Sequence, residues 1–157
     1  MKKTFALLIA GLLACAVTAL AETDTQKEVR DAIIKASAYS NENLTAMPDS
    51  ISKDGALEFW SSGGLLNEIP PNEDAGTNVA QSLTPKHITV IPLVEGQAAV
   101  AMYYSEGRLH PGGAELVSHY LTRVTEVYVK EDGVWKVRAA HWSALKGGSG
   151  TSQTSLD

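Results

Sequence analysis

Between residues 22 and 40, Val29, Ile33, Ile34 and Ala38 recur at helical spacing, while Lys27, Glu28, Arg30, Asp31 and Lys35 fall largely on the opposite side. The pattern predicts an amphipathic helix. Glu22 and Asp24 stand at its amino end, where negative charge complements the helix dipole, and Asn41, Asn43 and Pro48 interrupt it. A second short helix could begin at Asp49 or Ser50 and reach Phe59-Trp60, but Gly55 weakens it and the piece could equally end in a strand. Residues 63–85 are rich in Gly, Pro, Asn and Asp with little periodicity, which predicts a long loop with one helical turn near 79–83. Loops of that length often lie over a functional cleft.

After Pro85 the period changes to that of strands. Residues 87–94 and 97–104 read as a hairpin turned by Glu95-Gly96, and Gly107, Pro111, Gly112 and Gly113 make a looser connection. A long run dense in Val, Tyr and Thr, 115–130, then turns at Glu131-Asp132-Gly133 into a last antiparallel strand, 134–145. Helices first and a curved antiparallel meander afterwards make an α+β fold, with the helical part covering one face of the sheet. Residues 147–157 are Gly/Ser/Thr-rich without apolar periodicity and predict a flexible tail.

The first 21 residues change this picture. Lys2 and Lys3 precede an apolar run from Phe5 to Val17, and Ala19-Leu20-Ala21 has the small-x-small form that a signal peptidase cuts after. The chain is therefore read as an export segment, 1–21, a domain, 22–146, and a tail, 147–157, with a periplasmic or secreted location. Removing 21 of the 157 residues takes Lys2 and Lys3 away and moves the net charge from −5 to −7. Such an acidic protein lacks the concentrated Lys and Arg that nucleic acid or an anionic membrane surface would demand. The single cysteine, Cys15, lies within the export segment, which excludes a disulfide framework and thiol chemistry in the remaining chain. Leu12-Leu13-Ala14-Cys15 also allows a rival reading, in which cutting before Cys15 leaves a lipid anchor on its thiol.

The stretch Thr125-Glu126-Val127-Tyr128, followed by Glu131-Asp132-Gly133-Val134-Trp135 and then His141-Trp142-Ser143, resembles the terminal hairpin of the nuclear transport factor 2-like superfamily. It is most similar to the SnoaL-like branch and to the association domain of calcium/calmodulin-dependent kinase II. The preceding Ala98–Tyr104 strand and the opening helix are similar in kind and order, whereas 63–85 matches poorly. The resemblance implies a cone, in which a bent sheet wraps the long first helix and leaves a pocket at its open end. It implies little about activity, because this scaffold carries isomerases, cyclases, dehydratases, oligomerisation modules and binders. In the kinase branch the Arg of Thr-Arg-Val-Trp faces the pocket. Glu126 stands there in this chain, which reverses the sign of the charge and puts anion binding in doubt.

Alternate residues share a face of a strand, so Glu126 groups with Thr122, Val124 and Tyr128, and His119 groups with Arg123. The residue pattern leaves open which group faces the pocket. Glu126 in an apolar pocket would have a raised pKa and could act as general acid or base; on the opposite face it would pair with Lys136 or Arg138 in solvent. His141, with Ser143 on the same face, is the second candidate, either as a ligand contact or as an imidazole satisfying backbone groups. Tyr39, Trp60 and Tyr104 are candidate ligand platforms, Tyr104 being preferred to Tyr103 because it matches a pocket-side Arg of the kinase branch. Trp142, opposite in parity to His141, is assigned to the outer sheet surface, where it would join Tyr128 or Val129 in a homodimer contact. His87, His110, His119 and His141 are too scattered for a metal site, and the glycine clusters fit no nucleotide loop. No cofactor or metal is expected. The chain is read as a binder of a small, partly apolar molecule, with an isomerase or dehydratase using Glu126, or an oligomerisation module, as alternatives.

Overall fold

In the computed structural model the described residues are 21–71 and 77–145. The export segment and the tail read from the sequence lie outside them, apart from Ala21. One helix, α1 (Asp24–Asn43), packs against six strands: β1 (Ala56–Phe59), β2 (Asn67–Ile69), β3 (Ala80–Val94), β4 (Ala98–His110), β5 (Val117–Glu131) and β6 (Val134–Ala144). The sheet order is β2-β1-β6-β5-β4-β3. All neighbours are antiparallel except β1 and β6, which run parallel.

The helix starts where its chemistry satisfies the first orphan amides. Thr23 Oγ1 accepts from the Gln26 backbone N–H and the Gln26 side chain accepts from the Thr23 N–H, a reciprocal cap. Thr25, Val29 and Ile33 form the buried line along it, and Ile34 and Ala38, expected on that stripe, are exposed. Leu44, in the left-handed conformation, ends the helix three residues beyond the expected stop. Buried Thr25 also accepts the Gly96 N–H at 2.7 Å, tying the β3–β4 turn to the first helical turn.

After α1 the strand alternative is the one that forms: residues 49–60 make no helix, Ile51 makes an isolated bridge to Val137 and the chain enters β1 at Ala56. Gly55, with φ of 76°, has its backbone so close to Ile69 that a Cβ would lie 2.7 Å from the Ile69 carbonyl oxygen. The long loop is shorter than expected, since β2 lies within it and 80–83 belongs to β3 rather than to a helical turn. Pro85 and Pro92 are compatible with a strand because β3 is an edge of the sheet, where a missing N–H costs no ladder bond. Asn41 of α1 covers part of that edge, donating to the Leu83 carbonyl at 2.8 Å and accepting the Leu83 N–H at 2.9 Å.

The core lies between α1 and the inner face of the sheet, where Val29, Ile33, Val90, Ala99, Ala101, Tyr103, Val124, Tyr128 and Trp135 cluster. Gly107 lets β4 come close to β3 at the far end, since a Cβ there would lie 1.8 Å from the Ser82 carbonyl oxygen. The long strands continue past the end of α1 and leave a cavity beside its last turns.

Candidate functional site

The cavity has a volume of about 210 Å³ and is bordered by Ile33, Ser37 and Ser40 of α1, by Met47 and Ile51 after it, and by inward side chains of the sheet. A wider recess of about 570 Å³ adjoins it, and Glu58, Gln81, Leu83 and Trp142 border both spaces. The recess therefore forms a vestibule.

Glu126 lies in the wall of the inner cavity and is 6% exposed. Its strand neighbours in register are Ala101 on β4 and Ala140 on β6. Both are small and buried, so no bulky side chain crowds the carboxylate from either side. The Tyr128 hydroxyl donates to Glu126 Oε2 at 2.7 Å and the Tyr103 hydroxyl donates to the same oxygen at 2.9 Å. Burial pushes the Glu126 pKa up to about 7 despite these two hydroxyls, which favour the ionised form, and the charge of Glu58 pushes the same way as burial. Both tyrosines are in turn raised well above their ordinary value, by burial first and then by the Glu126 charge.

The solvent-facing alternative for Glu126 is thus excluded by its burial. Lys136 instead bonds Asp49 at 2.5 Å, and Arg138 donates to the Gly55 carbonyl at 3.3 Å.

The other candidates divide. Trp60 borders the vestibule and donates from Nε1 to Glu58 Oε2 at 2.9 Å. Tyr39 borders neither space. Tyr104 is 42% exposed on the outer face, edge-on to His87, and its neighbour Tyr103 occupies the cavity wall. His141 is exposed, its ring 5.6 Å from that of Phe59. Trp142, assigned from sequence to the outer surface, borders the cavity and meets the Tyr103 ring edge-on at 6.2 Å. Tyr128 is buried beside Glu126, so neither it nor Trp142 offers an outer dimer contact.

One residue explains the exchange of His141 and Trp142. From the turn, Glu131↔Val134 to Tyr128↔Val137 pair in simple register, but Val127 pairs with Ala139, which leaves Arg138 as an extra residue in β6. In uninterrupted register His141 and Ser143 would share the inner face with Glu126. The bulge shifts the strand by one residue, and a shift of one moves every later side chain to the other face. Ala140 and Trp142 therefore turn inward.

Sequence reasoning missed Glu58 and Trp142 and ranked Tyr103 below Tyr104. Glu58 pairs with Ala140, which pairs with Glu126, so the two carboxylates lie in one row on one face, two strand spacings or about 10 Å apart at the backbone. β1 was not foreseen as a firm strand, so nothing in the sequence could align Glu58 with Glu126. Among the described residues no group of three or more His, Cys, Asp and Glu converges to hold a metal ion.

No protein-family model and no curated protein matches the chain. Solved structures do. A candidate calcium/calmodulin-dependent kinase II association domain from Exiguobacterium sibiricum is similar with a TM-score of 0.57 at 14% identity, over 81% of this chain and 98% of that one. A nuclear transport factor 2-like protein of unknown function from Pseudomonas putida KT2440 is similar with a TM-score of 0.55 at 21% identity, over 76% of this chain and 86% of that one. The association domain of the Caenorhabditis elegans kinase is similar with a TM-score of 0.50 at 16% identity, over 78% of this chain and all of the other. A helix cradled by a curved, unclosed six-stranded sheet with a cavity at one end, and this agreement with solved structures, give the chain the nuclear transport factor 2-like fold.

Proposed function

We propose that the protein binds a small, partly apolar molecule in the inner cavity, with Glu126 as its polar anchor. The observation that carries this reading is a buried carboxylate with a pKa of about 7 in the wall of a largely apolar cavity. Both tyrosine hydroxyls fall on Oε2, which leaves Oε1 for a guest. A cavity of about 210 Å³ lies below the usual range for drug-sized ligands, so the guest is small, or extends into the vestibule. His141, on the far face, has no part in holding it. Native mass spectrometry of protein purified from its own compartment tests this. A small molecule retained by the wild type and lost in Glu126→Gln is expected; a wild type that carries nothing and takes up nothing from a fragment library would overturn the reading.

A second reading, an isomerase- or dehydratase-type enzyme, is favoured by the same pKa, because a general base works best when poised near the operating pH. Glu126 would take and return the proton. His141 cannot stabilise an oxyanion from the outer face, so any such donor would come from the cavity wall. Turnover that follows a neutral pKa and disappears in Glu126→Gln would mark this reading.

Assembly of two copies through the outer sheet face is compatible with either. Phe59, Met102 and Tyr104 are exposed there, and Phe59, His141, Thr125 and Met102 form one continuous row across four strands. Export and cleavage after Ala21, or lipidation at Cys15, remain readings of the sequence. The intact mass of the mature protein distinguishes them.

A further inference from the structure

The charges around the cavity narrow the class of guest, given the reading of the cavity as a binding site. Among the described residues that line it, those carrying charge are Glu58 and Glu126, both acidic, and no Lys, Arg or His joins them. Glu126 stands in the inner wall, and Glu58 borders both cavity and vestibule. The aromatic rings lining the inner space are those of Tyr103, Tyr128 and Trp142.

We propose that the cavity takes a small organic cation, a primary amine or an alkylated ammonium, with its nitrogen at Oε1 of Glu126 and its hydrocarbon part against Ile33, Leu83 and Trp142.

Neither of the other two charge classes fits as well. An anion would enter a largely apolar space beside two carboxylates and find no counter-charge among the lining residues, and a buried charge without a partner is strongly disfavoured. A neutral guest leaves the ionised form of Glu126 uncompensated and is matched only to the protonated carboxyl. A cation neutralises the ionised form, and the faces of tyrosine and tryptophan rings attract cations further. The aligned row of Glu58, Ala140 and Glu126 places one carboxylate at the passage and the other inside, so that the electrostatic path runs inward for a positive guest.

The titratable groups facing Glu126 are Tyr103 from β4, Tyr128 from its own strand and Glu58 from β1. Its neighbour on β6 is Ala140, and α1 contributes Ile33 and Ser37 to the cavity. Affinity for a cation therefore follows ionisation of Glu126. With its pKa at about 7, cation binding should weaken about thirty-fold from pH 8 to pH 5.5, as the competent carboxylate fraction falls.

Benzylamine, benzyl alcohol and benzoate have similar shapes and carry positive, zero and negative charge at pH 8. Titrating each into the full chain by calorimetry or backbone NMR separates the outcomes. Benzylamine should bind at least about tenfold more tightly than benzyl alcohol, with benzoate weakest. Glu126→Gln, with its fold checked by a cooperative melt, should reduce benzylamine to the level of the alcohol. Weakening of the wild type at pH 5.5 tests the same point without a variant. Benzyl alcohol or benzoate binding as tightly as benzylamine, or a benzylamine affinity unchanged by pH, would overturn the cation assignment and leave the binding reading standing. If none of the three binds and the fragment library also finds nothing, the binding reading itself fails.

Discussion

Glu126 and Glu131 lie on the same strand, and both accept two hydrogen bonds, yet they titrate in opposite directions. Glu131, near the turn, accepts the Ser52 hydroxyl at 2.7 Å and the Lys53 backbone N–H at 3.0 Å. Those two donors hold its carboxyl below the ordinary value, the backbone bond contributing most. Glu126 accepts two tyrosine hydroxyls at similar distances, and burial still pushes it up to about 7. The number of donors does not decide protonation in this sheet. The amount of water each carboxylate has lost decides it, which distinguishes the wall of a cavity from a structural clasp at a strand end.

Glu126→Gln should break the contrast most strongly. The folded pKa of Glu126 lies above its ordinary value of 4.5, so the folded state holds the proton more tightly than the unfolded chain. Its contribution is fully present below about pH 4.5 and is lost as pH rises through about 7, by an amount on the order of 3 kcal/mol. Urea melts of the wild type should show stability declining from pH 5 to pH 8, and the glutamine variant should lose that decline. Glu131→Gln should behave in the opposite way. The lowered pKa of Glu131 contributes stability at neutral pH that disappears as pH falls through its folded value, so the variant should differ from wild type at pH 7 and converge with it in acid.

A smaller effect is expected from Tyr128→Phe, which removes the 2.7 Å donor to Glu126. The lost hydroxyl should cost about 1 kcal/mol and raise the Glu126 pKa further, because the bond favours the ionised form. Chemical denaturation and a carboxyl titration check the two parts separately. The smallest effect belongs to the outer face: His141→Ala loses an exposed ring contact with Phe59 and should change stability by no more than about 0.5 kcal/mol. It should leave the titration of Glu126 unchanged, whereas a shift would contradict the assignment of the two faces.

Much of the fold was legible because local signals agreed with the global arrangement. The helical stripe at Val29 and Ile33, Glu95-Gly96 and Glu131-Asp132-Gly133 all mark elements that form. Pro85 misled because it reads as a breaker until β3 is known to be an edge. The faces were harder. In 98–104, Ala99 and Ala101 point inward while Val100 and Met102 alternate with them, so both faces are apolar and period two has no contrast to choose between Tyr103 and Tyr104. The bulge at Arg138 has no marker such as glycine, yet it decides the face of every residue after it. Glu126 was recognisable only through the resemblance of its hairpin to the kinase association domains, and Glu58 could not be aligned with it before the β1–β6 pairing was known.

The titration of Glu126 itself tests the account most directly. With carbon-13 label in the glutamate carboxyl groups, the resonance absent from Glu126→Gln identifies the residue, and its shift can be followed from pH 3 to pH 9. A midpoint near 7 is expected for a carboxylate buried in the cavity wall. A midpoint at or below 4.5 would mean that Glu126 is hydrated like an ordinary surface carboxylate, and would contradict both the buried site and the function built on it.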